Sequence, residues 1–221
     1  MNEQIILWAI LRAVKYLGHH AEITNNFFQN DGNWEHMNEQ WFINFNTEWG
    51  LSRCFNINGD NAVEGCLEQA RAYLIENFNA LVEQNGHLVA QDIDELTTGL
   101  ADVGLSRGRA TSAVSKYAFS GRPAEIFPID STAVRGLRCL AQQAGGNFVD
   151  YGGGEDRYQH FYNAWLVQYN NHEAEIENLL QDQRVQNITC RLGFLNGNMQ
   201  TTAFKRKVFD NILMIKGGRV M

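Results

Sequence analysis

Proline is almost missing from this chain: there are two among 221 residues, Pro123 and Pro128, set five positions apart. Other absences narrow the possibilities further. No run of about 18 apolar residues occurs, so no membrane-spanning helix is expected. The start, Met1-Asn-Glu-Gln, lacks a basic leader, and "IILWAILRAVKYL" behind it has amphipathic helical spacing, so no signal peptide is expected. Cysteine is sparse and scattered (Cys54, Cys66, Cys139, Cys190) with no C-x-x-C pair, the usage of reduced thiols in a cytoplasmic protein. The six histidines show neither HxxxH nor HExxH spacing, so no metal site is expected, and no cofactor motif is present. "YGGGEDR" (151–157) lacks the flanking strand and the Lys-Ser/Thr of a phosphate loop. Repeats of 20–50 residues and low-complexity tracts are lacking, and strand-like alternation is nearly absent.

What is present is helical periodicity. Val63, Cys66, Leu67, Ala70, Leu74, Phe78 and Leu81 fall at three- and four-residue steps, as do Ile6, Ala9, Ile10, Ala13, Val14 and Leu17. Further helices are predicted at about 34–49, 93–103, 107–119, 131–143, 156–169, 173–181 and 202–215. Turns are predicted at "NINGDN" (56–61), "NGH" (85–87), "GGG" (152–154) and "GFLNGN" (193–198). The fold class is all-α. Residues 1–221 are expected to form a single helical domain, with a sub-division near 150 as the alternative.

Charge is unevenly spread behind the net value of −7. Residues 1–104 hold four Lys/Arg against fifteen Asp/Glu, and residues 105–221 hold fourteen against ten. This permits a local anionic partner without demanding one. The "KRK" of 205–207 has a solvated surface as its simplest reading.

Residues 91–119 predict two short helices and a tight link. Asp92 and Glu95 form a capping-box-like start, Gly104 can end the first helix, and Ser106 can cap the second. Gly104, Ser106, Arg107, Gly108 and Arg109 then gather small residues, helix-terminal N–H groups and two arginines, which suits a phosphate. After the second helix, "RPAEIFPIDSTAVRGL" (122–137) uses Pro123 to stop it and Pro128 to keep the chain extended, delivering Asp130 to the next helix.

Helix, glycine hairpin, helix, and a proline turn ending in "FPID" together resemble the helix-hairpin-helix DNA glycosylase superfamily over roughly 91–140. The resemblance implies a helix-hairpin-helix glycosylase-like fold, a hairpin that grips DNA, and an aspartate that serves a flipped-out nucleotide. Carried onto this chain, it makes Asp130 catalytic, and Gly104, Ser106, Arg107, Gly108, Arg109, Lys116 and Arg122 nucleic-acid contacts. Gly108 falls on a hairpin glycine, and Ala110 occupies the position of the family's Schiff-base lysine. Lys116, six residues on, lies roughly 240° away around a helix. The implied activity is therefore monofunctional hydrolysis of a base–sugar bond, as in DNA repair, with no lyase step and no cofactor.

Two alternatives stand beside this. Asp130 before a helix is also an N-cap requiring no catalysis. The whole scaffold is also compatible with a non-catalytic module that binds DNA or a protein. Trp34, Trp41, Phe45 and Trp49 have a helix-face spacing that suits core packing over base stacking. Ser112 and Lys116 form S-x-x-x-K, which is not the S-x-x-K of acylating serine enzymes.

Overall fold

The computed structural model describes residues 1–19, 34, 36–108, 110–145, 156–189 and 201–218. Arg109, Cys190, and the predicted turns at 152–154 and 193–198 lie outside the described residues. Within them the chain is all-α, with no strand and one isolated antiparallel bridge between Phe55 and Ser106. The helices are α1 (Glu3–His19), α2 (Glu39–Glu48), α3 (Cys66–Asn85), α4 (Ala90–Asp102), α5 (Thr111–Gly121), α6 (Ser131–Gln143), α7 (Arg157–Leu180), α8 (Gln183–Thr189) and α9 (Thr202–Lys216). A short 3-10 turn, Ser52–Cys54, follows α2. Among the described residues no helix is long and apolar enough to cross a membrane.

The chain divides into two compact units, each discontinuous in sequence. The first comprises Met1–Gln29, Asp130–Tyr151 and His160–Met221. Here α9 packs against α1 and α6. Its core joins Ile6, Ala9 and Ile10 to Leu137 and Leu140, with Phe204, Val208, Ile212 and Leu213 between them. Gly136 permits the close crossing, since a Cβ there would lie 2.0 Å from the Leu213 carbonyl oxygen. Because α9 is covered on nearly all sides, its "KRK" is not a solvated stripe. Lys205 and Lys207 are buried, the first ion-paired with Glu173 and Glu177 and the second with Asp210 at 2.8 Å.

The second unit comprises Asn30–Ile129 and Gly152–Gln159, and in it α2, α3, α4 and α5 pack in succession. Aromatic rings fill its core. Phe42 stacks on Tyr117 at 4.6 Å, and Trp34 stacks on Phe78 at the same distance. Trp34 precedes α2 and is not part of a helix face. It donates its indole N–H to the Tyr117 carbonyl at 3.0 Å and lies against Gly121, where a Cβ would come within 2.5 Å of the ring. Any side chain at 121 would displace it.

Candidate functional site

Helix α4 begins at a Val89 N-cap, and it is Asp92 at the third helical position, not Glu95, that completes the start. The Asp92 carboxylate accepts the Val89 N–H at 2.7 Å. The helix ends as its sequence suggests. Gly104 has φ 75°, and the Leu105 and Gly104 N–H groups return to the Leu100 and Ala101 carbonyls at 3.0 and 2.9 Å. That pair of bonds satisfies the orphaned helix carbonyls and needs a left-handed residue at 104, where glycine has no Cβ to clash.

The loop that follows is held from outside. Phe55 bridges Ser106, with the Asn56 N–H donating to the Leu105 carbonyl at 3.1 Å and the Arg107 N–H to the Cys54 carbonyl at 2.9 Å. The Asn56 side-chain amide donates to the Gly104 and Ser106 carbonyls at 2.7 and 3.1 Å, and the Cys66 thiol donates to the Leu105 carbonyl at 3.2 Å. Three consecutive hairpin carbonyls are thereby paired to the segment between α2 and α3. Sequence reasoning made 56–61 a plain turn and missed Asn56 altogether. No periodicity marks a residue whose role is to reach a distant backbone.

Ser106 does not cap α5. It is buried, and its hydroxyl donates to the Gly108 carbonyl at 2.7 Å. The helix starts four residues later than 107, with Ala110 as an N-cap that supplies no side-chain acceptor. Gly108, at φ 66°, makes the last turn of the loop ahead of it. Arg107 is exposed and its guanidinium donates to the Asn58 carbonyl.

Two of the other cations predicted to contact nucleic acid, Lys116 and Arg122, are buried. Lys116 is 6% exposed, with its ammonium 3.1 Å from the Ser112 hydroxyl and 5.4 Å over the Trp49 ring. Arg122 is 9% exposed and pairs with Glu125 at 3.0 Å, whose other oxygen accepts the Leu88 N–H at 2.9 Å. Both act as interior ties of the second unit and neither stands at the surface. Gly104, Ser106, Arg107 and Gly108 are brought together in one loop. Lys116 and Arg122 are not part of it.

The proline turn is buried from Ile126 to Ile129. Pro128 has no N–H, and the donors on either side of it meet side-chain hydroxyls. The Phe127 N–H donates to the Tyr158 hydroxyl at 3.1 Å, and that hydroxyl donates back to the Phe127 carbonyl at 2.8 Å. The Ile129 N–H donates to the Ser115 hydroxyl at 3.2 Å. Asp130, the next residue, is extended (φ −146°, ψ 171°) and belongs to the first unit as the N-cap of α6. Its Oδ1 accepts both the Thr132 and Ala133 N–H groups at 2.8 Å. Its Oδ2 accepts no hydrogen bond from the described residues.

Among the described residues no cluster of three or more His, Cys, Asp and Glu side chains is placed to hold a metal ion. Cys54, Cys66 and Cys139 are free thiols, and burial raises the pKa of the Cys54 and Cys66 thiols. The chain matches no protein-family model, no curated protein and no solved structure.

Proposed function

We propose that the chain binds DNA through the α4–α5 hairpin and hydrolyses a base–sugar bond with Asp130, as a monofunctional glycosylase-like enzyme. The observation that carries this reading is the asymmetry of the Asp130 carboxylate. One oxygen is fixed by two N–H groups of α6, and the other accepts no hydrogen bond from the described residues. A carboxylate so held needs no reorganisation to stabilise positive charge building on a sugar. In the step, the C1′–N bond breaks with its electron pair leaving on the base, and a bond forms from C1′ to a water oxygen. The water proton passes through Oδ2 towards the departing base. The base must leave the helical stack to be reached. Ala110, 2% exposed, offers no amine for a Schiff base, which supports hydrolysis without strand cleavage. On the binding side, Arg107 is an exposed hairpin cation, the kind of group that meets a backbone phosphate.

The second reading is a non-catalytic module that binds DNA or a protein, and the burial of Lys116 and Arg122 favours it. One experiment separates the two. Wild type, Asp130→Asn and Asp130→Ala are assayed for base release on duplexes carrying one oxidised purine, alkylated purine or deaminated pyrimidine, with borohydride present. The enzyme reading expects release without strand cleavage or a trapped adduct in wild type, and none in either variant. Asn keeps the cap, whereas Ala loses about 0.5–2 kcal/mol of stability. Undiminished release by Asp130→Asn reduces the residue to a cap, and a trapped adduct in wild type overturns the monofunctional mechanism.

A further inference from the structure

We infer that the outer face of α6 and the end of α9 hold the DNA backbone beside Asp130, with Arg135 and Lys216 as the phosphate-binding cations. The assignment rests on DNA binding and not on the catalytic step, and it concerns the first unit alone. From Ser131 to Gly145 the chain carries two arginines and no aspartate or glutamate. Ser131, Arg135, Arg138 and Gln142 follow at three- and four-residue steps, so they lie along one face of α6. Ser131, Arg135 and Gln142 are exposed and Arg138 is half-buried. The end of α9 meets the start of this helix. A Cβ at Gly217 would lie 2.1 Å from the Thr132 carbonyl oxygen, so the two backbones touch there. Lys216, the residue before, reaches along α6 and donates to Gln143 Oε1 at 3.1 Å.

The partners of these two cations set them apart. Elsewhere in the first unit Lys205, Lys207 and Arg184 each lie 2.8 Å from a carboxylate, which cancels their charge. Arg135 and Lys216 bond only neutral acceptors among the described residues. Arg135 donates through Nε to the Gly217 carbonyl at 3.1 Å and through Nη2 to the Thr132 hydroxyl at 3.2 Å. Two of its five N–H donors thus fix the guanidinium, and its charge stays intact for a ligand. Capping the end of α9 would need one donor of any kind. An oriented guanidinium with donors to spare fits a phosphate, whose oxygens it can meet in pairs. Thr132 also ties this group to the site, because its N–H donates to Asp130 Oδ1 at 2.8 Å. The held cation and the held carboxylate therefore share the first turns of one helix.

The test measures how salt weakens binding of the full chain to a short duplex carrying one tetrahydrofuran sugar, which stands for the nucleotide after its base has left. Arg135→Gln and Lys216→Gln should each lower the slope of log K against log salt concentration by about 0.9. Arg135→Lys keeps the charge and the slope. Arg184→Gln is the control: its guanidinium is exposed but already paired with Asp182 and Glu3, so the slope stays as in wild type. A neutral methylphosphonate beside the tetrahydrofuran should lower the wild-type slope and lower that of Arg135→Gln no further, since one contact is lost only once. If Arg135→Gln fails to fold for want of its bond to Gly217, Lys216→Gln carries the test. Unchanged slopes in both Gln variants overturn the inference while DNA binding stands. Additive losses from Arg135→Gln and the methylphosphonate overturn the placement beside Asp130. A wild type that binds DNA but releases no base removes the enzyme reading alone, and the slopes still decide the surface. A wild type that binds no duplex overturns the surface and the DNA reading together.

Discussion

At the scale of single residues, legibility followed locality. Gly104, Pro123, Pro128 and the cap at Asp130 act within a few positions of themselves, and their chemistry is visible in any sequence that contains them. Asn56, Ser115 and Tyr158 act on backbone groups 48 residues, 14 residues and 31 residues away. Nothing in their neighbourhood announces this. His36 belongs to the same class. Its Nε2 is 3.4 Å from the Ser120 hydroxyl, its ring meets Trp41 edge-on at 4.9 Å, and burial lowers its pKa from 6.5 to about 4. The folded protein therefore keeps this imidazole neutral where the unfolded chain protonates it. Between pH 6.5 and about 4 the unfolded state binds the extra proton, so stability from this group falls as pH falls through that window. His36→Gln has no such proton to bind. Urea unfolding of both proteins at pH 7 and pH 5 should show the wild type losing more stability on acidification. Equal losses would mean that burial does not govern this histidine.

At the scale of elements, the helical period located nearly every helix and misjudged several ends. The predicted helices 156–169 and 173–181 are one helix, α7. Its buried stripe runs Tyr158, Phe161, Trp165, Tyr169, Ile176 and Leu180, with a gap where His172 stands. His172 fills it by stacking on Phe209 at 6.3 Å, so a polar letter serves an apolar position and breaks the pattern only on paper. The opposite holds at α9, where charged letters occupy buried positions. Lys207 is 4% exposed and Asp210 6%, and the lysine ammonium also lies 4.7 Å over the Tyr16 ring. Removing one partner of a buried pair leaves a charge without its counterion, which costs about 3–5 kcal/mol, whereas replacing both by apolar groups is often neutral. Asp210→Ala should therefore destabilise by about that amount, and Lys207→Met/Asp210→Leu should recover most of the loss. Chemical denaturation decides it: a double variant as unstable as the single one would show that packing at 210, not charge, is what α9 requires.

At the scale of the whole molecule, the charge map bears most directly on a polyanionic partner. Fifteen Asp/Glu against four Lys/Arg in residues 1–104 set up a field that repels DNA. Four cations from the more basic remainder, Lys116, Arg122, Lys205 and Lys207, are buried. Composition alone cannot separate cations that face outward from those that neutralise interior acids, which is why the sequence overstated the basic surface. At the hairpin, Arg107 is exposed and spends one guanidinium donor on Asn58. If DNA docks there, affinity rests on few phosphate contacts and should fall steeply with salt. Each contact contributes about 0.9 to the slope of log K against log salt concentration. Arg107→Gln should lower that slope by about 0.9, equally on all duplex sequences, because a phosphate contact carries no sequence information. Lys116→Met should leave the slope as in wild type, since its ammonium lies against Ser112 and Trp49. A slope reduced as much by Lys116→Met as by Arg107→Gln would mean that α5 opens on binding to present its lysine. A slope changed by neither would place any DNA contact away from this hairpin.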